Sequence, residues 1–230
     1  MILGVAHQKG GVGKSTLSIT LAYQFGMSGL KTLLVDADEL STSSDWTRLR
    51  VENEIDSAPF TVVSLTGTAI HGQVSRLNSD YDMIVIDAPP RNAVTMKSIM
   101  VVSDLVLVPM QPSASDVWAL RQLFDVKSEV EAVRGEGTVK TVFLLNRVVK
   151  NTLMLDSVNY GLDDGENKIL RTRIHQRQSI VNAWALGRTI FDYKAGMAGF
   201  DDSAVRDARY EFEKLAKELA DELMNIRKGD

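Results

Sequence analysis

Eight consecutive residues near the start of the chain, KGGVGKST from Lys9 to Thr16, constrain it more than anything else in the sequence. They follow a short apolar run, Ile2 to Ala6, and lead into a stretch whose Leu17, Leu21 and Phe25 fall on one helical stripe. Strand, glycine-rich loop and helix in immediate succession is the setting of a phosphate-binding loop. Gly10, Gly11 and Gly13, with Val12 among them, let the backbone turn tightly and aim its N–H groups at phosphate oxygens, and the positive end of the following helix adds to the attraction. In this reading Lys14 neutralises the β- and γ-phosphates, the Ser15 hydroxyl ligates Mg²⁺ and Thr16 meets the α-phosphate.

The strict form of such a loop has glycine five positions before Gly13, where this chain has Gln8. The glycines instead sit beside Lys9, giving KGGxGK[ST], a form in which a second lysine precedes the glycine pair. A dinucleotide-binding turn is the competing reading, because Gly11, Gly13 and Asp36 mimic its spacing. Thr16 stands where that motif needs its third small residue, and Lys14-Ser15 has no role in it, so the phosphate loop is preferred.

The remaining chain alternates β-rich apolar runs (Ile2 to Ala6, Thr32 to Val35, Phe60 to Leu65, Met83 to Ile86, Leu105 to Val108, Thr141 to Leu145) with longer stretches of helical spacing. Runs that are apolar throughout suit strands covered on both faces, and the alternation implies a doubly wound, mostly parallel α/β sheet flanked by helices. A charged run near Ile169 to Ile174 suits a seventh strand at an edge. Without repeats or a Pro/Gly/Ser-rich linker, the 230 residues are expected to form a single domain over 1–230. The last segment carries Val205, Ala208, Phe212, Leu215, Ala216, Leu219, Leu223 and Ile226 at steps of three and four, one stripe of a core-facing helix. A membrane-surface helix is disfavoured, since residues 211–230 hold six acidic and four basic residues.

Two more carboxylate clusters fall where a phosphate loop needs them. YDMIVIDAPP ends a strand in Asp87, from which a carboxylate can hold Mg²⁺. TLLVDADE ends another in Asp36 and Asp38, at the edge of the sheet where ligands of such folds bind. One of these can position the attacking water while the other supports the metal, and a helix N-cap is the plainer alternative for Asp38. The chain has no cysteine, which excludes thiolate-ligated metal, iron–sulfur clusters and thiol nucleophiles. A net charge of −4 gives no overall signature of nucleic-acid binding.

Together KGGVGKST, LLVDAD, YDMIVIDAPP, LVPMQPSASDVWAL and LLNR resemble the ParA/MinD family of deviant Walker ATPases over Met1 to about Arg188. Within it the chain is most similar to the small plasmid-partition ParA branch, so no N-terminal helix-turn-helix domain is expected. The resemblance implies ATP and Mg²⁺ as cofactors. It implies that Lys9 crosses into the nucleotide of a second copy in a sandwich dimer, that Asp38 serves hydrolysis, that Asp87 is the metal aspartate and that Asn146 reads the base. The family often has DxDPQ where this chain has Asp36-Ala37-Asp38-Glu39-Leu40, which alters the switch loop but keeps both carboxylates. The catalytic set is then Lys9, Lys14 and Asp38; the metal set is Ser15, Asp36 and Asp87.

The implied activity is DNA partition: an ATP-driven homodimer binds nonspecific DNA and is released when a ParB-like adaptor stimulates hydrolysis. That places the protein in the cytoplasm, associated with the nucleoid in its ATP state, without membrane contact. From Lys140 to Arg177 there are seven basic residues against four acidic, whereas Asp36 to Ala58 carries two against seven. Arg147, Lys150, Lys168, Arg171, Arg173 and Arg177 are therefore the candidate DNA contacts, with Arg177 also placed to serve the dimer or the nucleotide. Two alternatives stand beside this one: the same engine positioning another cargo, such as a carboxysome, a chemoreceptor cluster or a conjugation apparatus, and a metabolic P-loop ligase.

Overall fold

The computed structural model describes residues 1–39, 42–112, 114–134, 138–149 and 168–229. Strands and helices alternate in the order β1 (Ile2–Val5), α1 (Lys14–Met27), β2 (Thr32–Asp36), α2 (Thr42–Glu52), β3 (Thr61–Ser64), α3 (Ile70–Leu77), β4 (Met83–Asp87), α4 (Ala93–Val102), β5 (Leu105–Met110), α5 (Ala114–Arg134), β6 (Thr141–Val148), β7 (Lys168–His175), α6 (Gln178–Ala185) and α7 (Asp202–Lys228). The strands form one sheet in the order β3-β2-β4-β1-β5-β6-β7. Every adjacent pair is parallel. The seventh strand is present, and it is an edge as its charges suggested.

Uninterrupted apolar strands are explained by two cores, one on each face. Ile2, Leu33, Val35, Ile84 and Ile86 point to one, closed by α3, α4 and α5. Leu3, Val5, Leu34, Met83 and Val85 point to the other, closed by α1 and α7. The stripe from Val205 to Leu223 is buried, so α7 is the core-facing helix that the spacing predicted. Asp201 begins it by accepting the N–H of Ala204 at 2.7 Å, and Gly229 ends it in the left-handed conformation. Among the described residues no helix is long and apolar enough to cross a membrane.

In register, Asp36 lies opposite Asp87, and Asp87 opposite Val5. Three strands therefore end level with one another, and the chain leaving β1 must turn directly over two carboxylates. The carboxyl edge beside β1, where the path switches from one half of the sheet to the other, is where doubly wound sheets bind ligands.

Candidate nucleotide site

The loop after β1 is shaped by two left-handed glycines, Gly11 at φ +77° and Gly13 at φ +93°. A side chain at Gly13 would also collide with the Asn146 amide, 2.5 Å from where its Cβ would lie. Gly13 precedes the first turn of α1 and offers no side chain to cap it, which leaves the N–H groups of that turn for an anion. From β6, Asn146 clamps the loop by donating to the Val12 carbonyl at 2.7 Å. Arg147, itself left-handed at φ +54°, donates to the Gly11 carbonyl at 2.9 Å.

Lys14 is buried, and its ammonium donates to the Lys9 carbonyl at 3.3 Å. Burial lowers its pKa, opposed by the charges of Asp87 and Asp38. Asp87 has no exposed surface. Burial pushes its carboxyl up to about 6, against the hydroxyls of Ser15 and Ser43 that bond to it and the nearby Lys14; Asp36 adds to the rise. Ser18 on α1 faces one oxygen at 3.3 Å, and Ser43 on α2 donates to the other at 2.8 Å.

Asp36 is occupied differently. Its oxygens accept the N–H of Asp38 at 3.2 Å and of Ser44 at 2.8 Å. It thus shapes the switch loop and supports the start of α2, the capping task that the sequence suggested for Asp38. Asp38 lines a cavity of about 420 Å³ together with Gly10, Gly11, Gly13, Lys14, Ser15, Thr16 and Asn146.

This cavity runs on past the phosphate loop to a wall of which sequence reasoning singled out Arg177 alone. His175, Gln176, Arg177, Ile180 and Trp184 form it, from the end of β7 and from α6, with Phe212 of α7 behind. Trp184 reads from sequence as core or interface, because nothing local shows that α6 folds back over a loop more than 160 positions earlier. Ser18 had a signal that was passed over, a hydroxyl inside the apolar face of α1. Ser43 had none among its serine and threonine neighbours.

A family model for the CobQ/CobB/MinD/ParA nucleotide binding domain matches residues 3–190. The chain belongs to this family. It is 26% identical over 196 residues to the maintenance of carboxysome distribution protein A of Halothiobacillus neapolitanus, covering 84% of this chain and 88% of that one. It is 28% identical over 245 residues to the chromosome partitioning protein ParA of Caulobacter vibrioides, covering 86% and 89%. Its fold matches an ATP complex of Cyanothece McdA with a TM-score of 0.74 at 15% identity, over 95% of this chain and 96% of that one.

Within this family member the expected basic patch is divided. Arg171 and Arg173 are exposed on β7. Arg177 is instead partly buried and held in a two-bond pair with Glu211, at 2.5 and 2.8 Å, and Lys168 pairs with Glu222. Arg147 is exposed but engaged with the phosphate loop, and Lys150 lies outside the described residues. Lys9 is half-buried.

Proposed function

We propose that this protein is a ParA-type ATPase that distributes a large cargo, plasmid or chromosomal DNA first among the candidates. One observation carries the reading: the loop that sets Lys9 beside the glycine pair opens, through Gly11 and Gly13, on a cavity shared by Lys14 and Asp38, with Asp87 buried beneath. The residues fit ATP and Mg²⁺. Among the described residues no cluster of three or more metal-ligating side chains exists, and Mg²⁺ takes one or two protein ligands and completes its shell with phosphate and water. Once bound, the ion neutralises charge on the β- and γ-phosphates.

The chain's own groups do the rest. Ser15 and Asp87 would hold the ion, and Lys14, which now donates to the Lys9 carbonyl, would meet the phosphates. Asp38 orients the attacking water, while Asp36 keeps the Asp38 loop in shape. Gly10 to Thr16 would cradle the phosphates, and Asn146, which lines the same cavity, would meet the base. Lys9 crosses to the nucleotide of a second copy, so ATP favours the dimer because it contacts both copies there and only one in the monomer. The dimer binds nonspecific DNA, with Arg171 and Arg173 the exposed contacts, and a ParB-like adaptor triggers hydrolysis and release.

Binding to nonspecific DNA with ATP, with ADP and without nucleotide tests this reading, with Asp38→Ala to trap the ATP state. Binding with ATP alone, held by the trapped variant and weakened steeply by salt, is the expected result. Lys9→Ala should bind ATP yet stay monomeric in light scattering. Absence of DNA binding in every state would turn the search to the small substrates of a metabolic ligase. The relative named for carboxysome distribution supports a second cargo, and the gene beside this one would decide between the two.

A further inference from the structure

The buried carboxylate of Asp87 is contacted by hydroxyls from two elements. Ser18, on α1, lies 3.3 Å from one oxygen, but its single proton also faces the Lys14 carbonyl at the better distance of 2.9 Å. Ser15, also on α1, is a prospective ligand of the ion. Ser43, on α2, has no exposed surface and donates to the other oxygen at 2.8 Å. A hydroxyl has one proton to give; Ser43 gives its own to Asp87 from α2, the helix that follows the switch loop, whereas Ser15 and Ser18 both lie on α1.

We propose that Ser43 is a positioning residue for the metal site: its hydroxyl fixes the rotation of the Asp87 carboxylate, so that one oxygen is held by α2 and the other is presented toward α1 and the phosphate loop. The proposal rests on the reading of Asp87 as a Mg²⁺ aspartate. Partners that orient a ligating carboxylate without touching the ion typically govern metal affinity. The placement adds a second property. Ser44, the next residue, donates its N–H to Asp36 at 2.8 Å, and Asp36 in turn accepts the N–H of Asp38 at 3.2 Å. One turn of α2 therefore holds Asp87 through a side chain and the Asp36 carboxylate, which shapes the Asp38 loop, through the backbone. Any rotation of α2 at its start moves both sets together.

The test separates metal binding from nucleotide binding. ADP affinity is measured by calorimetry in EDTA and then across a Mg²⁺ titration, for wild type, Ser43→Ala and Ser43→Cys, which nearly conserves volume but donates weakly. Unchanged ADP affinity in EDTA, with the Mg²⁺ midpoint raised about tenfold or more in both variants, is the expected result. Melting in EDTA checks that each variant is folded; if the alanine variant is not, the cysteine variant carries the comparison. A wild-type Mg²⁺ midpoint in a folded variant overturns the proposal alone. So does an equal loss with and without Mg²⁺, because a hydroxyl that only shapes α2 would weaken both. If wild-type protein binds ADP with no response to Mg²⁺, the reading of Asp87 falls and takes the proposal with it.

Discussion

Asp87 and Asp192 are both carboxylates taken out of water, and the chain treats them in opposite ways. Asp192 follows α6 and meets Arg50 in a two-bond pair at 2.7 and 2.9 Å, with both side chains almost wholly buried. Its oxygens also accept the Tyr23 hydroxyl and the Thr189 N–H. Burial pushes the Asp192 carboxyl up, but the Arg50 hydrogen bonds and these other donors outweigh it and hold it below its usual value. Among the described residues Asp87 has only neutral hydroxyls at bonding distance, a buried ammonium nearby and a second carboxylate opposite, and its carboxyl rises to about 6. A structural carboxylate is supplied with its cation by the fold. A carboxylate kept short of one carries a raised pKa, the kind of perturbation that clusters at functional sites.

Breaking the structural pair should have the largest effect. Arg50→Met leaves Asp192 buried and uncompensated and should cost about 3–5 kcal/mol in urea unfolding. Adding Asp192→Asn should recover part of that loss, and no recovery would deny that the stranded charge is its cause.

Asp87→Asn should do the reverse in metal-free protein. The folded pKa of Asp87 is raised, so its contribution is fully present below the usual carboxylate value near 4 and is lost as pH rises through about 6. The asparagine variant should therefore be more stable than wild type by about 2–3 kcal/mol at pH 7, from a shift of about two units. The gap should close below about pH 4, although ATP hydrolysis is lost throughout. Urea unfolding in EDTA at several pH values measures it, and a variant less stable at neutral pH would refute it. Asp192 has the opposite sign: its contribution is full above the usual carboxylate value and disappears as pH falls through the lowered folded one. The stability gap between wild type and Asp192→Asn should accordingly shrink in acid.

The smallest effect belongs to the clamp on the phosphate loop. Asn146→Ala removes the bond to the Val12 carbonyl and should cost about 1 kcal/mol of stability. ADP affinity should fall with it, and an unchanged affinity in calorimetry would mean that the loop holds its shape alone.

Much of this was legible along the chain because it depends on near neighbours. The phosphate loop is eight contiguous residues whose conformation follows from glycine and the helix behind it. Continuous apolar runs named the strands, and their placement put Asp36 and Asp87 at the same edge of the sheet. The basic segment read as one patch because charge was counted along the chain. In three dimensions Glu211 and Glu222 of α7 engage Arg177 and Lys168, leaving Arg171 and Arg173 exposed. The same applies to Arg50, which in sequence is one more polar residue of α2 and in the fold is almost wholly buried between Tyr23, Trp46 and Asp192.

The sequence alone determined the family, the parallel sheet and the phosphate-binding chemistry, since each rests on periodicity or on residues adjacent in the chain. Only the tertiary structure decided which carboxylate receives a cation from the protein and which lacks one, which hydroxyls steady Asp87, and that α6 closes the cavity with Trp184. Those outcomes depend on burial and on hydrogen-bond partners as far as 169 positions apart. A residue's charge and hydrogen-bonding state are set by what the fold brings against it.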